Sequence, residues 1–220
     1  EGEPGAIAHV RDSRGRFLGQ AMVNLKSQIA GRLVTRDEEA IDAAFFERRI
    51  RDAASRCDRS VRGPDACRLI HGEADHLPGL IVDRYADLLA IQVLTAGMER
   101  VRDMLLEALR EVVKPRAIFE RNDASSRKLE GLELRKGFVW GEGESGLWIQ
   151  EGELHFFVEV AEGQKTGFFL DQRENRQVVR GLAAGREVLD CFCYSGGFAL
   201  NAATGGAASV MGIDKSADAI

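Results

Sequence analysis

The chain has 220 residues, a formal net charge of −5 and 45% hydrophobic residues, which suffices for one large or two small domains with a real core. No apolar run approaches the ~18 residues of a membrane span, and no signal peptide opens the chain, so we expect a cytoplasmic protein with no membrane partner. The four cysteines lack zinc spacing and are expected to be reduced thiols. Because the chain is not globally basic, binding to RNA would need a local basic face.

Residues 1–36 are predicted to be β-rich. Strand patterns cover residues 6–11, 17–24 and 29–35, with a turn at 12–16, which is the size of part of a small barrel. The basic residues in this part have two equally supported interpretations, an RNA-contacting face or ordinary solvated positions. The candidate RNA-binding residues are Arg14, Arg16 and Lys26.

An amphipathic helix is predicted for residues 35–57. Acidic residues at 37–39 favour its N-terminus, and either Thr35 or Asp37 is the expected cap. Four residues share one apolar face at helical spacing, namely Phe46, Ile50, Ala53 and Cys57. Residues 58–65 contain Gly-Pro and predict a domain boundary, so residues 37–65 form a linker helix and boundary.

Residues 66–160 predict a small α+β domain. It opens with a polar loop at 71–79, whose histidines and acids match no metal motif, so we predict no metal site. A hairpin at 80–94, a helix at 98–112 and a strand at 117–120 follow, and a second hairpin at 147–160 closes the domain.

The polar and aromatic stretch at 163–176 precedes a predicted helix at 172–182. Phe168 and Phe169 are candidates for packing on an adenine ring, with core packing as the alternative that we expect for one of the two. Asp171 is a candidate cap for the helix.

Residues 187–198 predict a strand, a tight turn and the start of a helix. We call residues 194–197 the glycine turn, because Gly196 and Gly197 tolerate positive φ and let a ligand approach the backbone. Such a turn directs backbone N–H groups and a positive helix end at one point. Asp190 ends the strand before the turn, and Asp214 ends the next predicted strand about 20 residues beyond it.

The charges around the glycine turn favour S-adenosylmethionine (SAM) as the cofactor. A carboxylate at Asp190 repels a dinucleotide pyrophosphate but attracts the ammonium and sulfonium of SAM. The dinucleotide spacing G-x-G-x-x-G is absent, and Asp214 lies where a ribose-binding acid is expected. The alternative is a structural strand–turn–helix corner without a ligand. Because a SAM domain needs several βα units and only two of its strands are predicted here, we expect a longer polypeptide.

Three segments occur in order: HGEADHLPGLIVDRY at 71–85, GQKTGFFLDQREN at 163–175 and VLDCFCYSGGFAL at 188–200. Together they resemble the PUA-domain RNA methyltransferases of bacteria and archaea that form 5-methylcytosine in large-subunit ribosomal RNA. The resemblance implies an α/β and α+β multidomain fold. Its parts are a partial PUA-like β-barrel at 1–36, a central α+β domain at 66–160 and the N-terminal part of a Rossmann-like methyltransferase domain at 161–220.

The resemblance also implies site residues. The cofactor-binding residues carried over, together with those that border the site, are Asp190, Tyr194, Gly196, Gly197, Asp214, Thr166, Phe168, Phe169, Asp171 and Arg173. The family's Asp-Pro-Pro motif and cysteine nucleophile lie beyond Ile220, so no catalytic residue is expected within these residues. Cys191 and Cys193 are instead expected to be small buried cysteines on opposite sides of the strand end, with thiol pKa values raised by Asp190.

The implied chemistry is covalent. A cysteine thiolate adds to carbon 6 of cytosine, carbon 5 takes the methyl group, a base removes the proton and the thiolate leaves. The target base must be unstacked, which favours single-stranded or looped RNA. Ribosomal RNA is the implied partner, and a homodimer is left open. Two alternative functions also stay open, a guanine methyltransferase on the same fold and an RNA-binding module without catalysis.

Overall fold

The computed structural model describes residues 2–60 and 65–216. The chain divides into two compact units, one formed by residues 1–62 and 67–143 and the other by residues 63–66 and 144–220. Both units combine helices with sheets, so the predicted mixed α/β and α+β class is confirmed. The four domain limits drawn from the sequence stay a prediction.

The first unit begins with a three-stranded antiparallel sheet in the order β1-β2-β3. Its strands are β1 (Ala6–Arg11), β2 (Phe17–Val23) and β3 (Gly31–Thr35). The β1–β2 turn is held by Asp12, whose Oδ1 accepts hydrogen bonds from the amides of Arg14 and Arg16, each at 2.9 Å. All three strands were predicted, β1 with the observed ends and the other two with one end that differs by one or two residues.

Helix α1 (Ala43–Ser60) begins later than predicted, and the expectation that Thr35 or Asp37 caps it is wrong. Asp42 is the cap, because its Oδ1 accepts the Phe45 amide at 3.0 Å. Thr35 instead ends β3, and its hydroxyl donates to the Glu39 carboxylate at 2.8 Å and accepts the Asp37 amide at 3.1 Å. These local side-chain bonds compete with helix formation. The predicted apolar stripe of α1 is fully buried.

Cys57 and Cys67 form a disulfide, so the expectation of four reduced thiols is wrong. Cys57 lies at the end of the buried stripe of α1, and Cys67 lies in β4 (Ala66–His71). Both side chains belong to one hydrophobic core, which brings their Cα atoms to 6.5 Å. The spacing of the two cysteines along the chain carries no signal for this pairing, because it depends on how α1 packs.

A five-stranded sheet in the order β4-β5-β6-β7-β8 forms the rest of the first unit. The remaining strands are β5 (Leu80–Tyr85), β6 (Leu88–Val93), β7 (Ala117–Asn122) and β8 (Arg135–Trp140). β6 and β7 are parallel, and a helical crossover joins them. That crossover was predicted as one helix but is two, α2 (Ala96–Arg100) and α3 (Arg102–Val113), separated at Val101. A short helix, α4 (Ser126–Leu129), follows β7.

The second unit contains the hairpin of β9 (Gly146–Glu151) and β10 (Leu154–Glu159), which we expected to close the central domain. The hairpin belongs to the second unit because Phe156, on its inward face, packs on Phe168 with ring centroids 5.0 Å apart. The segment between β10 and the next helix includes a 3₁₀ turn at Leu170–Gln172.

The C-terminal part of the second unit is a strand–helix–strand arrangement. Its elements are α5 (Arg173–Leu182), β11 (Glu187–Cys191), α6 (Gly197–Thr204) and β12 (Ser209–Ile213). β11 and β12 pair in parallel, and Leu189 and Met211 are exposed on them, as expected for a pair of strands with open faces. Within residues 2–60 and 65–216, no helix has the length and apolarity needed to span a membrane.

Candidate cofactor-binding site

The glycine turn lies between β11 and α6, as the sequence predicts. Gly196 has φ 73° and comes directly before Gly197, the first residue of α6. Asp190 on β11 reaches the first turn of this helix, where its Oδ2 accepts the Ala199 amide at 2.9 Å. The carboxylate therefore satisfies one of the amides that a helix start leaves without an intrahelical partner. Burial raises the pKa of Asp190, and the bond from Ala199 opposes that rise.

Asp214 follows β12 and faces the same turn. Its Oδ2 accepts the Tyr194 amide and its Oδ1 accepts the Ser216 amide, both at 3.0 Å. These two bonds, that from Ser216 first, lower the pKa of Asp214, so the side chain is a carboxylate at neutral pH. Asp190 pairs with Gly212 in the parallel register, which places both acids at the carboxyl edge of the strand pair.

Tyr194 connects the glycine turn to residues 163–169. Its hydroxyl donates to the Gly167 carbonyl oxygen at 2.9 Å and accepts the Gln164 amide at 3.3 Å. Its ring meets Phe169 edge-on with centroids 5.5 Å apart. The structure therefore brings together two of the three segments that carry the family resemblance.

The two adjacent phenylalanines have different environments. Phe168 is buried and packs on Phe156 and on the Arg176 guanidinium, which lies 4.7 Å from the ring centroid. Phe169 is half-buried beside Tyr194, with the Lys165 Nζ 4.6 Å from its ring centroid. Phe168 is thus a core residue, and Phe169 is the one at the turn. Thr166, a further predicted site residue, is fully buried.

Asp171 and Arg173 are arranged differently from expectation. Asp171 does not cap α5, because the 3₁₀ turn at Leu170–Gln172 precedes the helix and no side chain caps its start. Asp171 is exposed, with an oxygen 3.9 Å from the Lys165 Nζ. Arg173 donates from Nη2 to the Ala66 carbonyl at 2.6 Å and from Nε to Glu151 Oε2 at 3.3 Å, which are structural contacts. Their roles toward the cofactor stay predictions, as do those of the other site residues.

Sequence reasoning missed a buried ion pair beneath the turn. Arg176 is 1% exposed and Glu151 is 4% exposed. Arg176 Nε donates to Glu151 Oε1 at 2.7 Å and its Nη2 donates to Oε2 at 2.6 Å, a bidentate geometry. Its Nη1 donates to the Phe169 carbonyl at 2.9 Å. No sequence signal separates Arg176 from the exposed charges of α5, because its burial depends on the hairpin that carries Glu151.

The residues around the glycine turn fit a ligand with both cationic and hydrogen-bonding groups. Two carboxylates lie beside the turn, and the Ser195 hydroxyl oxygen is buried without a partner among residues 2–60 and 65–216. A Cβ on Gly197 would lie 3.1 Å from Arg176 Cδ, so the start of α6 packs closely against the Arg176 side chain. SAM carries an ammonium, a ribose and a carboxylate, which match this set of groups.

The two free cysteines do not both behave as expected. Cys191 is exposed, so the prediction that it is buried is wrong, whereas Cys193 is half-buried. Burial first, and then the charges of Asp190 and Asp214, raise the pKa of the Cys193 thiol, in the predicted direction. Phe192 between them has φ 64°, so the alternation of a strand does not continue to Cys193.

The candidate RNA-binding residues lie in the first unit. Arg14, Arg16 and Lys26 are all exposed, and the Arg16 Nε lies 3.2 Å from Asp12 Oδ2. Their role in RNA binding stays a prediction. In the described part of the chain, no group of three or more histidine, cysteine, aspartate or glutamate residues is arranged to hold a metal ion.

Two protein-family models match this chain. The family model described as S-adenosylmethionine-dependent methyltransferase matches residues 68–220. The chain belongs to this family. A second model, described as a PUA-like domain, matches residues 1–36. The predicted family resemblance is confirmed, and so is SAM as the cofactor of the family.

Curated relatives carry the same resemblance over nearly the whole chain. Ribosomal RNA large subunit methyltransferase I of Shewanella denitrificans is 46% identical over 210 residues, covering 94% of this chain and 53% of the relative. The protein of that name from Aeromonas hydrophila is 40% identical over 227 residues, covering 100% and 57% respectively. This methyltransferase-family chain therefore spans about half the length of the curated relatives it matches.

Solved structures show the same fold. A SAM-dependent methyltransferase from Streptococcus mutans superposes with a TM-score of 0.84 at 22% identity, covering 99% of this chain and 57% of that one. A methyltransferase solved in complex with S-adenosylhomocysteine also gives a TM-score of 0.84 at 22% identity. At 22% sequence identity, this similarity supports the fold alone.

Proposed function

We propose that this protein is a SAM-dependent methyltransferase that modifies large-subunit ribosomal RNA. The observation that carries the proposal is the position of Asp190 and Asp214, at the carboxyl edge of β11 and β12 on either side of the glycine turn. The names of the relatives at 40% and 46% identity support ribosomal RNA as the substrate. We infer the cytoplasm as the compartment, because ribosomal RNA is found there, and a homodimer stays a prediction.

The residues at the turn have separate roles in this proposal. Asp214 is a carboxylate already oriented by two backbone amides, so it accepts hydrogen bonds from the ribose hydroxyls. Asp190 attracts the ammonium group, and the N-terminus of α6 attracts the carboxylate. Phe169 offers its ring to adenine. When bound, SAM supplies the methyl group.

We further propose cytosine as the target base and 5-methylcytosine as the product, through a cysteine adduct. Neither Cys191 nor Cys193 is the nucleophile in this scheme. The raised pKa of Cys193 keeps that thiol protonated near neutral pH, whereas a nucleophile must be a thiolate. Cys191 is the last residue of β11, directly after Asp190, and is exposed there.

Calorimetry with SAM and the Asp214→Ala variant tests the cofactor role. Loss of charge-assisted hydrogen bonds to the ribose is expected to weaken SAM binding by more than about tenfold. Asp103→Ala is the matched control, because the Asp103 side chain is 97% exposed in the first unit. Unchanged SAM affinity in Asp214→Ala would remove the ribose role, and tight binding of NADH by the wild type would overturn the cofactor assignment.

Methyl transfer from radiolabelled SAM to unmodified 23S ribosomal RNA, followed by nucleoside analysis, tests the reaction. We expect label in 5-methylcytosine, and label in methylguanine alone would favour the alternative target. RNA with 5-fluorocytosine at the modified position should trap a covalent adduct with the full-length protein. Cys191→Ala and Cys193→Ala variants should still form the adduct, and its loss in either variant with SAM binding intact contradicts the assignment.

A further inference from the structure

The polar segment at 71–79 lies in the first unit, whereas the glycine turn lies in the second. The polar segment lines a cavity of about 520 Å³, together with the β2–β3 turn, β3 and α4. This volume falls within the roughly 300–1,000 Å³ typical of small-ligand sites. The cavity-lining residues that define its chemistry are Ile29, Arg32, Glu73, Leu129 and Glu130.

Arg32 and Glu73 place a hydrogen-bond donor beside an acceptor at this cavity. Arg32 Nη1 donates to Glu73 Oε1 at 3.0 Å. The Nε of Arg32 is buried and has no acceptor in the part of the chain that the structure describes. The Arg32 side chain as a whole is 24% exposed, so its guanidinium can offer a donor to an acceptor atom of a ligand in the cavity.

The carboxylates at the cavity indicate which part of an RNA it suits. Glu130 is buried, its Oε1 accepts the Ser27 hydroxyl at 2.6 Å, and that same oxygen lies 3.7 Å from Arg32 Nη2. Burial raises the pKa of Glu130, but hydrogen bonds from Ser27, Asn24 and the Ala96 amide outweigh this and lower it overall. Glu73 and Glu130 together outnumber the single guanidinium, so the cavity disfavours a phosphate and accepts a neutral group.

Two exposed aliphatic side chains line the same cavity. Ile29 is 51% exposed and Leu129 is 64% exposed, which is unusual for such large apolar residues beside a concave site. An unstacked base seeks apolar contacts for its faces and hydrogen bonds for its edge. Cytosine and adenine each present an acceptor nitrogen beside an amino donor, which complements Arg32 beside Glu73.

We propose that this cavity binds an unstacked nucleobase of the RNA substrate. Arg32 and Glu73 contact the base edge, and Ile29 and Leu129 contact its face. The segment at 71–79 thus serves substrate recognition and supplies Glu73 to the site. The inference rests on the proposed function, because it presupposes an RNA substrate.

The test measures binding of a fluorescent 12-nucleotide single-stranded RNA of mixed sequence to the full-length protein at several salt concentrations. Ile29→Ser, Leu129→Ser and Arg32→Met are each expected to lower RNA affinity by about tenfold. The slope of affinity against salt should stay unchanged, because the protein neutralises the same number of phosphates in each variant. Leu25→Ser is the matched control, since Leu25 is 71% exposed and does not line the cavity.

Wild-type RNA affinity in both Ile29→Ser and Leu129→Ser overturns the inference, and these exposed substitutions do not threaten folding. A smaller salt slope in Arg32→Met means that Arg32 contacts phosphate, which overturns the assignment of a base. SAM affinity should be unchanged in all three variants. If the wild type binds no RNA, the proposed function fails; if the wild type binds RNA and the variants match Leu25→Ser, only this inference fails.

Discussion

The phenolic oxygen of Tyr194 donates a hydrogen bond to the backbone carbonyl oxygen of Gly167 at 2.9 Å. The same residue has φ 51° and donates its backbone amide to Asp214. One residue of the glycine turn is thus bonded both to Asp214 and to the segment before α5. Positive φ is uncommon for a residue other than glycine, and the surrounding bonds hold Tyr194 in this conformation.

Removal of the Tyr194 hydroxyl is the mildest perturbation of this connection. Tyr194→Phe keeps the ring against Phe169 but loses two neutral hydrogen bonds, one donated to the Gly167 carbonyl and a longer one accepted from the Gln164 amide, each worth about 0.5–1.5 kcal/mol. We expect SAM affinity by calorimetry to fall by roughly two- to tenfold, because the turn is less well fixed before binding. Tyr85→Phe, in the first unit, is the control and should bind SAM as the wild type does. A Tyr194→Phe variant with wild-type affinity would show that the hydrogen bonds of this hydroxyl are dispensable for SAM binding.

We expect the charge of Asp190 to lower the stability of the folded protein and to strengthen SAM binding. Because burial raises its pKa in the folded protein, the folded state holds this proton more tightly than the unfolded state does. The contribution of Asp190 to stability is therefore full at low pH and is lost as pH rises through the folded pKa. Asp190→Asn removes this pH dependence and keeps an oxygen that can accept the Ala199 amide.

At pH 7 we expect Asp190→Asn to have a denaturation midpoint at or above that of the wild type, together with weaker SAM binding. Parallel denaturant titrations and calorimetry at pH 5 and pH 8 check both parts. A variant that is less stable at pH 8 than the wild type contradicts the proposed cost of this partly buried charge. Equal SAM affinity contradicts the ammonium contact.

The Arg176–Glu151 pair predicts a large difference between two arginines of α5. Arg176→Met leaves the buried Glu151 carboxylate without its bidentate partner, which is expected to cost about 3–5 kcal/mol in unfolding free energy. Arg180→Met is the control, because Arg180 pairs with Glu153 at the surface, where such a pair is worth about 0–1 kcal/mol. Chemical denaturation of both variants measures the difference. Similar losses of unfolding free energy in the two variants would show that the buried pair contributes no more to stability than the surface pair does.

The disulfide between Cys57 and Cys67 predicts a thiol count. Without reductant, the unfolded protein should show two reactive thiols, those of Cys191 and Cys193, and four after reduction. Reduction is expected to lower the stability of the first unit by about 2–4 kcal/mol, because the unfolded chain regains the freedom of the closed loop. Four reactive thiols before reduction would show that the bond does not form in the isolated protein.

Three exposed cations of the first unit form the predicted phosphate-contacting set. Replacement of Arg14, Arg16 and Lys26 by alanine should weaken RNA binding and lower the salt slope, by roughly 0.7 for each phosphate of a single strand that the variant no longer neutralises. Arg16 already pairs with Asp12, so it should contribute least. SAM affinity should not change. A wild-type salt slope in the triple variant would show that these charges are merely solvated.

Elements whose signals are local could be predicted from the amino-acid sequence. The short apolar segments of β1, β2 and β5, the stripe on α1 and the strand–glycine–helix order at residues 187–204 each depend on neighbours within a few residues. The same is true of Asp190 and Asp214, because a strand end places its last side chains at the sheet edge whatever else the chain does. These local patterns were enough to indicate the fold class and the SAM cofactor.

Features that depend on residues far apart in the chain could not be predicted in this way. Arg176 is buried because Glu151, 25 residues away, lies on a hairpin that packs against α5, and the Cys57–Cys67 bond needs α1 and β4 side by side. The late start of α1 follows from the bonds of Thr35 to Glu39 and Asp37, which outcompete a helical turn there. The cavity at Arg32 and Glu73 likewise joins residues 41 positions apart. Long-range packing sets each of these, because burial and unmet hydrogen bonds are properties of the assembled core and not of any one segment.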